Sequence, residues 1–143
     1  MQRMVGALAA VVVLTGCGPY LFRQSDRVTV TSPVVYSTTR NPVTVTWTAQ
    51  DFTAPADGRF AVFVDRDPIS PGDNIDEYTT QQRAGIYVVD TTSLKLGVLG
   101  QVTGVDPAEA NHHDVTVVLL DTSGNRIGEY AGFTEFTLTG NGT

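Results

Sequence analysis

Apolar positions along this chain fall into two regimes. Val5 to Leu14 form an unbroken, uncharged run of Val, Ala and Leu with one glycine, whereas from Arg27 onward apolar residues come in short bursts. Val28 and Val30 alternate with Thr29 and Thr31, and Val43, Val45 and Trp47 alternate with Thr44, Thr46 and Thr48. This period of two marks half-buried strands with Trp47 turned into the core. Pro33 interrupts the first burst, Val34 to Tyr36 extend it along an edge, and Ser37 to Pro42 carry turn chemistry. Phe60 to Val64 are apolar at every position, as in a central strand covered on both sides. Asp51 to Gly58 read as a loop, Asp65 to Gly72 contain Pro68 and Pro71, and Asp73 to Arg83 are polar with room for one helical turn. Gly85 to Val89, Ser93 to Val98, Val115 to Leu120 and Arg126 to Leu138 complete the strands. A hairpin loop at Asp121 to Asn125 joins the last two. The alternation slips at Ala131-Gly132, which predicts a β-bulge there. Asp106-Pro107-Ala108-Glu109 has the order of a helix start, with space for about one turn. With about seven strands and no sustained helical period, the pattern predicts an all-β chain folded as a single sandwich.

The leading run reads as a signal segment. Arg3 supplies the positive charge before it, and Val5 to Leu14 match an apolar core of about 7–15 residues. Val5 to Gly16 as a helix would reach roughly 18 Å, short of a bilayer core of about 30 Å. The run ends on Leu14-Thr15-Gly16-Cys17, which contains the chain's single cysteine. These four residues resemble the lipobox of bacterial lipoproteins. The resemblance implies cleavage before Cys17 and a diacylglyceryl group on its sulfur, often with a third acyl chain on its amine. Two acyl chains give stable anchoring where one is marginal. The alternative is an ordinary secretory signal cut elsewhere, with Cys17 a plain thiol. On the lipoprotein reading residues 1–16 are a signal peptide, 17–26 a lipidated cysteine and short tether, 27–139 the sandwich domain, and 140–143 a disordered tail. Fully extended, the tether reaches about 30 Å.

Removal of residues 1–16 from the 143 leaves 127, one domain's worth, with no further cysteine for a disulfide. The whole chain has 9 basic and 15 acidic residues, net −6, and loss of Arg3 makes this −7. That balance argues against nucleic acid as a partner and against adsorption to anionic lipid, so the lipid itself must anchor the domain.

Two stretches carry a fold-level resemblance. Asn41 to Pro68, with Pro-Val-Thr-Val-Thr-Trp and Arg-Phe-Ala-Val-Phe-Val-Asp, is similar to strands B and C of fibronectin type III-like domains. His113 to Glu129 resembles the final hairpin of bacterial immunoglobulin-like domains. The resemblance implies an immunoglobulin-like sandwich, and it covers about a third of the chain.

Candidate chemistry is sparse. Asp65, Asp67, Asp73, Asp76 and Glu77 form an acidic stretch of the kind that holds Ca²⁺ when its oxygens converge. Its spacing is not that of an EF-hand, and a solvated loop is the plain alternative. His112-His113-Asp114 offers imidazoles, yet neighbours on a strand point to opposite faces, so a shared zinc site is not expected. Ser123 lacks the context of a nucleophile elbow, and Gly97, Gly100 and Gly104 lack that of a phosphate loop. Phe52 and Tyr78 are the loop aromatics that could meet a glycan. The expectation is therefore a membrane-anchored, extracytoplasmic, non-catalytic interaction or structural module of the cell envelope, with another envelope protein as partner and no cofactor. The alternative is a Ca²⁺- or glycan-binding domain using Asp65 to Tyr78.

Overall fold

A computed structural model describes residues 27–140 of the chain. Eight strands run in the order β1 (Val28–Ser32), β2 (Ser37–Thr39), β3 (Thr44–Ala49), β4 (Arg59–Val64), β5 (Ile86–Val89), β6 (Ser93–Lys95), β7 (His112–Leu120) and β8 (Arg126–Leu138), with one 3₁₀ turn at Ile75–Glu77. They form a three-stranded sheet, β1-β3-β6, and a five-stranded sheet, β2-β8-β7-β4-β5. All pairings are antiparallel except β2 with β8. The molecule is a β-sandwich, with eight strands among the described residues where about seven were predicted. The extra one is β2, in the stretch read as turn chemistry. Its three residues align in parallel with Phe136 to Leu138 and bury little, so they leave no alternating pattern. Val34 to Tyr36, expected to continue the edge, instead form the exposed turn before it.

The sheets meet over Val28, Val45, Trp47, Phe60, Val62, Val117, Leu119 and Phe136, all at most 2% exposed. Trp47 and Phe52 both pack edge-on against Phe60, with ring centroids 5.5 and 5.2 Å apart. Phe52 is thus a core residue, not a surface aromatic. A second apolar cluster covers the outer face of the five-stranded sheet: Ala61, Phe63, Val118, Leu120 and Ala131 beneath Ile69 and Ile75, with Tyr78 packed against it. The β4–β5 connection, read from composition as polar and irregular, is therefore a lid. It explains why β4 and β7 are apolar on both faces.

The expected bulge is displaced. Gly132 pairs with Val117 and Ala131 with Val118 in regular register, and the irregularity lies nearer the hairpin, between the Val118–Ala131 and Leu120–Arg126 pairs. Ala131 and Gly132 break the alternation because both faces of β8 are covered there: Ala131 faces the outer cluster, and Gly132 lies under β1. A Cβ on Gly132 would stand 3.0 Å from Val28 Cγ1. Asp106 to Glu109 make a turn without a helix, in which the Asp106 carboxylate accepts the Ala108 N–H at 2.9 Å.

Strand directions define two ends. Arg27 lies over the Tyr130 ring at 5.0 Å, on the side of the Asp121–Asn125 hairpin. Further along β8, Thr134 donates to the Pro33 carbonyl at 2.8 Å and Glu135 accepts the Tyr36 N–H at 2.7 Å. At about 3.3 Å per residue, Tyr36 is roughly 17 Å beyond the position of Arg27. Asp65 at the end of β4 and His112 to Asp114 at the start of β7 share this far end.

Candidate functional site

The far end collects titratable side chains on three adjacent strands. Asp65 follows β4 in the left-handed region at φ 54°, a conformation that Asp tolerates better than most residues. Its backbone N–H donates to the Asp114 carbonyl at 3.0 Å, and its Oδ1 accepts the Asp114 N–H at 3.1 Å. Its Oδ2 sits 2.8 Å from His113 Nδ1. An ionised carboxylate only accepts, so Nδ1 carries the proton there. His113 is 1% exposed and stacks on Phe136, with ring centroids 5.8 Å apart. Its Nε2 is enclosed, with no hydrogen-bond partner among the described residues. His113 thus closes the core, tied down by Asp65.

His112 and Asp114 face the other way, as strand alternation requires. His112 Nε2 is 3.2 Å from the Glu135 carboxylate. Asp114 stands directly opposite Glu135 in the β7–β8 register. Like charges opposite each other on neighbouring strands are unfavourable. Burial, and then the Asp65 charge, push the Asp114 carboxyl above its ordinary value. Hydrogen bonding to Glu135, followed by that carboxylate's charge, likewise raises the Tyr36 phenol. Beside this row Asp65, His112 and Asp114 line an open pocket of about 310 Å³ with Val102, Val105 and Glu109 from the β6–β7 connection. Val34, Val35 and Tyr36 are 67%, 45% and 78% exposed at the same end.

The acidic stretch of the sequence is dispersed. Asp65 serves His113; Asp73 accepts the Ser70 N–H at 3.2 Å; Asp76 pairs with Arg83 at 3.1 Å and Arg59 at 3.6 Å. Asp67 is exposed and close enough to Asp114 to raise it, and Glu77 is exposed on the 3₁₀ turn. Among the described residues no three His, Cys, Asp or Glu side chains are placed to share a metal ion. With Phe52 buried and Tyr78, itself part of the lid, half-buried against the outer cluster, the two candidate glycan aromatics form no exposed platform. Cys17 and its flanks lie outside the described residues, among which no helix is long and apolar enough to cross a membrane.

Sequence reasoning singled out His112 to Asp114 but missed Glu109, Glu135, Val102 and Val105. Only strand register brings Glu135 opposite Asp114, and only the fold of the β6–β7 connection brings Glu109 beside His112. Comparison with protein-family models, with curated proteins and with solved structures finds no match to this chain.

Proposed function

We propose that this chain is a lipid-anchored, extracytoplasmic lipoprotein whose immunoglobulin-like sandwich serves as a non-catalytic interaction module of the cell envelope. Leu14-Thr15-Gly16-Cys17 at the close of a short apolar run supports the anchor. The strand order β1-β3-β6 against β2-β8-β7-β4-β5, with β2 parallel to β8, supports the immunoglobulin-like arrangement. The observation that carries the interaction reading is the far end. It exposes Val34, Val35 and Tyr36 beside a row of carboxylates, away from the side on which Arg27 joins the domain to its tether. On the anchored reading this surface lies on the side of the domain away from its point of attachment.

The test is photo-crosslinking in intact cells, with the photoreactive residue at Tyr36 or, as a control, at Thr122 in the hairpin at the other end. An adduct of discrete mass from Tyr36 but not Thr122, found in the membrane fraction, is the expected result. Cys17→Ser should release the protein from that fraction. Retention of the Cys17→Ser protein on the membrane would overturn the anchor, and absence of any adduct from Tyr36 would overturn the interaction role.

A further inference from the structure

The pocket at the far end has walls and a rim of different character. Val102 and Val105 supply apolar wall, and Val105 is 46% exposed. Asp65, Glu109 and Asp114 supply carboxylates, and Glu135 extends the row through its contact with His112. Asp65 already spends both oxygens, on His113 and on the Asp114 N–H. Asp114 is half-buried, and among the described residues no other side chain pairs with it. No ion pair among the described residues brings a Lys or Arg to any of the four; nearby Arg66 is turned away, donating to the carbonyls of Gln82 and Ala84. His113 holds Asp65 and His112 holds Glu135, which leaves Asp114 and Glu109 without a side-chain partner among the described residues. An exposed apolar-walled recess bearing these two carboxylates is complementary to a cation on an alkyl stem.

The geometry points to a docking surface for a basic segment of a partner protein, whose arginine side chain enters this pocket. The proposal rests on the interaction-module reading and names its surface and the partner's chemistry. The stem would lie along Val102 and Val105, as long basic side chains lie along apolar surface. The guanidinium would meet Asp114 and Glu109, with Glu135 within the same row. Its planar fork of five donors suits two separate carboxylates, one on β7 and one on the β6–β7 connection, better than a compact ammonium does. Val34, Val35 and Tyr36 would then cover apolar residues flanking the arginine, because Tyr36 contacts Glu135, and Glu135 contacts His112 on the pocket wall.

The experiment titrates the blocked peptide Gly-Leu-Arg-Leu-Gly into the full ¹⁵N-labelled chain in neutral detergent micelles, following amide shifts. A matched peptide with norleucine replacing arginine removes the charge and keeps the stem. Saturable shifts centred on Val102, Glu109, His112 and Asp114, absent with the norleucine peptide, are expected. Asp114→Asn and, separately, Glu109→Gln should each weaken binding by about tenfold, equivalent to ~1.4 kcal/mol. Equal shifts from both peptides, or none at the far end, would overturn the proposal. The same shifts produced by raising protein concentration alone would assign the surface to a second copy and also overturn it. A discrete crosslinked partner at Tyr36 in cells, with no arginine-dependent shifts here, would leave the interaction module standing and remove this pocket from it.

Discussion

Asp121 at one end of the sandwich and Asp114 at the other are treated in opposite ways. At the hairpin end, Asp121 accepts N–H groups from Ser123 and Asn125 at 2.8 and 2.9 Å and the Asn125 amide at 3.0 Å. Its carboxyl is held below the ordinary value, chiefly by the Asn125 side chain. Asp76 faces two guanidinium groups, and Asn74 ties the lid to the hairpin through the Ser123 carbonyl at 2.9 Å and Asn125 Oδ1 at 3.0 Å. At the far end Asp114 faces Glu135, borders Asp65, and is pushed upward. Asp121 and Asp76 hold the fold at one end, as Asp65 does for His113 at the other, whereas Asp114 sits where burial and neighbouring charge oppose its ionisation. Local choices that oppose stability collect where a protein has something else to do. The contrast therefore gives more weight to the far end than acidity alone would.

The largest expected effect lies under the lid. Ile75 is fully buried in the outer cluster, so Ile75→Ala removes apolar contact and leaves a cavity. Urea unfolding should show a loss of about 2–4 kcal/mol. If the loss stays under about 1 kcal/mol, the connection is a loosely held flap. The hairpin end would then lose its claim to be built from structural acids.

A smaller effect is expected at the hairpin. Asp121→Ala removes an acceptor for three donors and should cost about 1–2 kcal/mol at neutral pH, since much of that site is solvated. Because the folded carboxyl titrates below its unfolded value, this contribution is complete above the ordinary carboxylate range. It is lost as the pH falls through the lowered folded value. The gap between parent and variant should therefore narrow in acid. A gap that is constant with pH would mean that the ionised carboxylate is not what holds the hairpin.

These two ends were unequally legible in the sequence. Asp-Thr-Ser-Gly-Asn between apolar runs gives a hairpin by local chemistry, and the alternation around Trp47 gives a core strand in the same way. The all-apolar Phe60 to Val64 announced a cover on both faces but not what the second cover is. Ile69 and Ile75 are isolated apolar residues among prolines and acids, and only tertiary contact makes them a lid. The far-end site is less legible still. Asp65 and His113 are 48 positions apart, and His112 and Glu135 are 23 apart, so no window of sequence contains the site. The run from Asp65 to Glu77 drew attention by sequence proximity, whereas the fold sends Asp65 to His113 and Asp76 to Arg59 and Arg83.

The smallest effect sharpens the comparison most. Asp114→Asn keeps the shape of the side chain and removes its charge from beside Asp65, Asp67, Glu109 and Glu135, with His112 as the nearby basic group. A carboxyl raised in the folded state makes the folded protein bind its proton more tightly than the unfolded chain does. Stability therefore falls as the pH rises from the unfolded value through the raised one. The penalty is full above the raised value and absent in acid, where both states are protonated. Asp114→Asn should accordingly melt slightly higher than the parent near neutrality, by about 1–3 °C, with the advantage disappearing at roughly pH 4. The same variant should bind the arginine peptide less well. A residue whose replacement strengthens the fold while weakening binding is retained for binding. If Asp114→Asn instead melts lower near neutral pH, the carboxylate belongs to the structure, as Asp121 does, and the two ends no longer differ in kind.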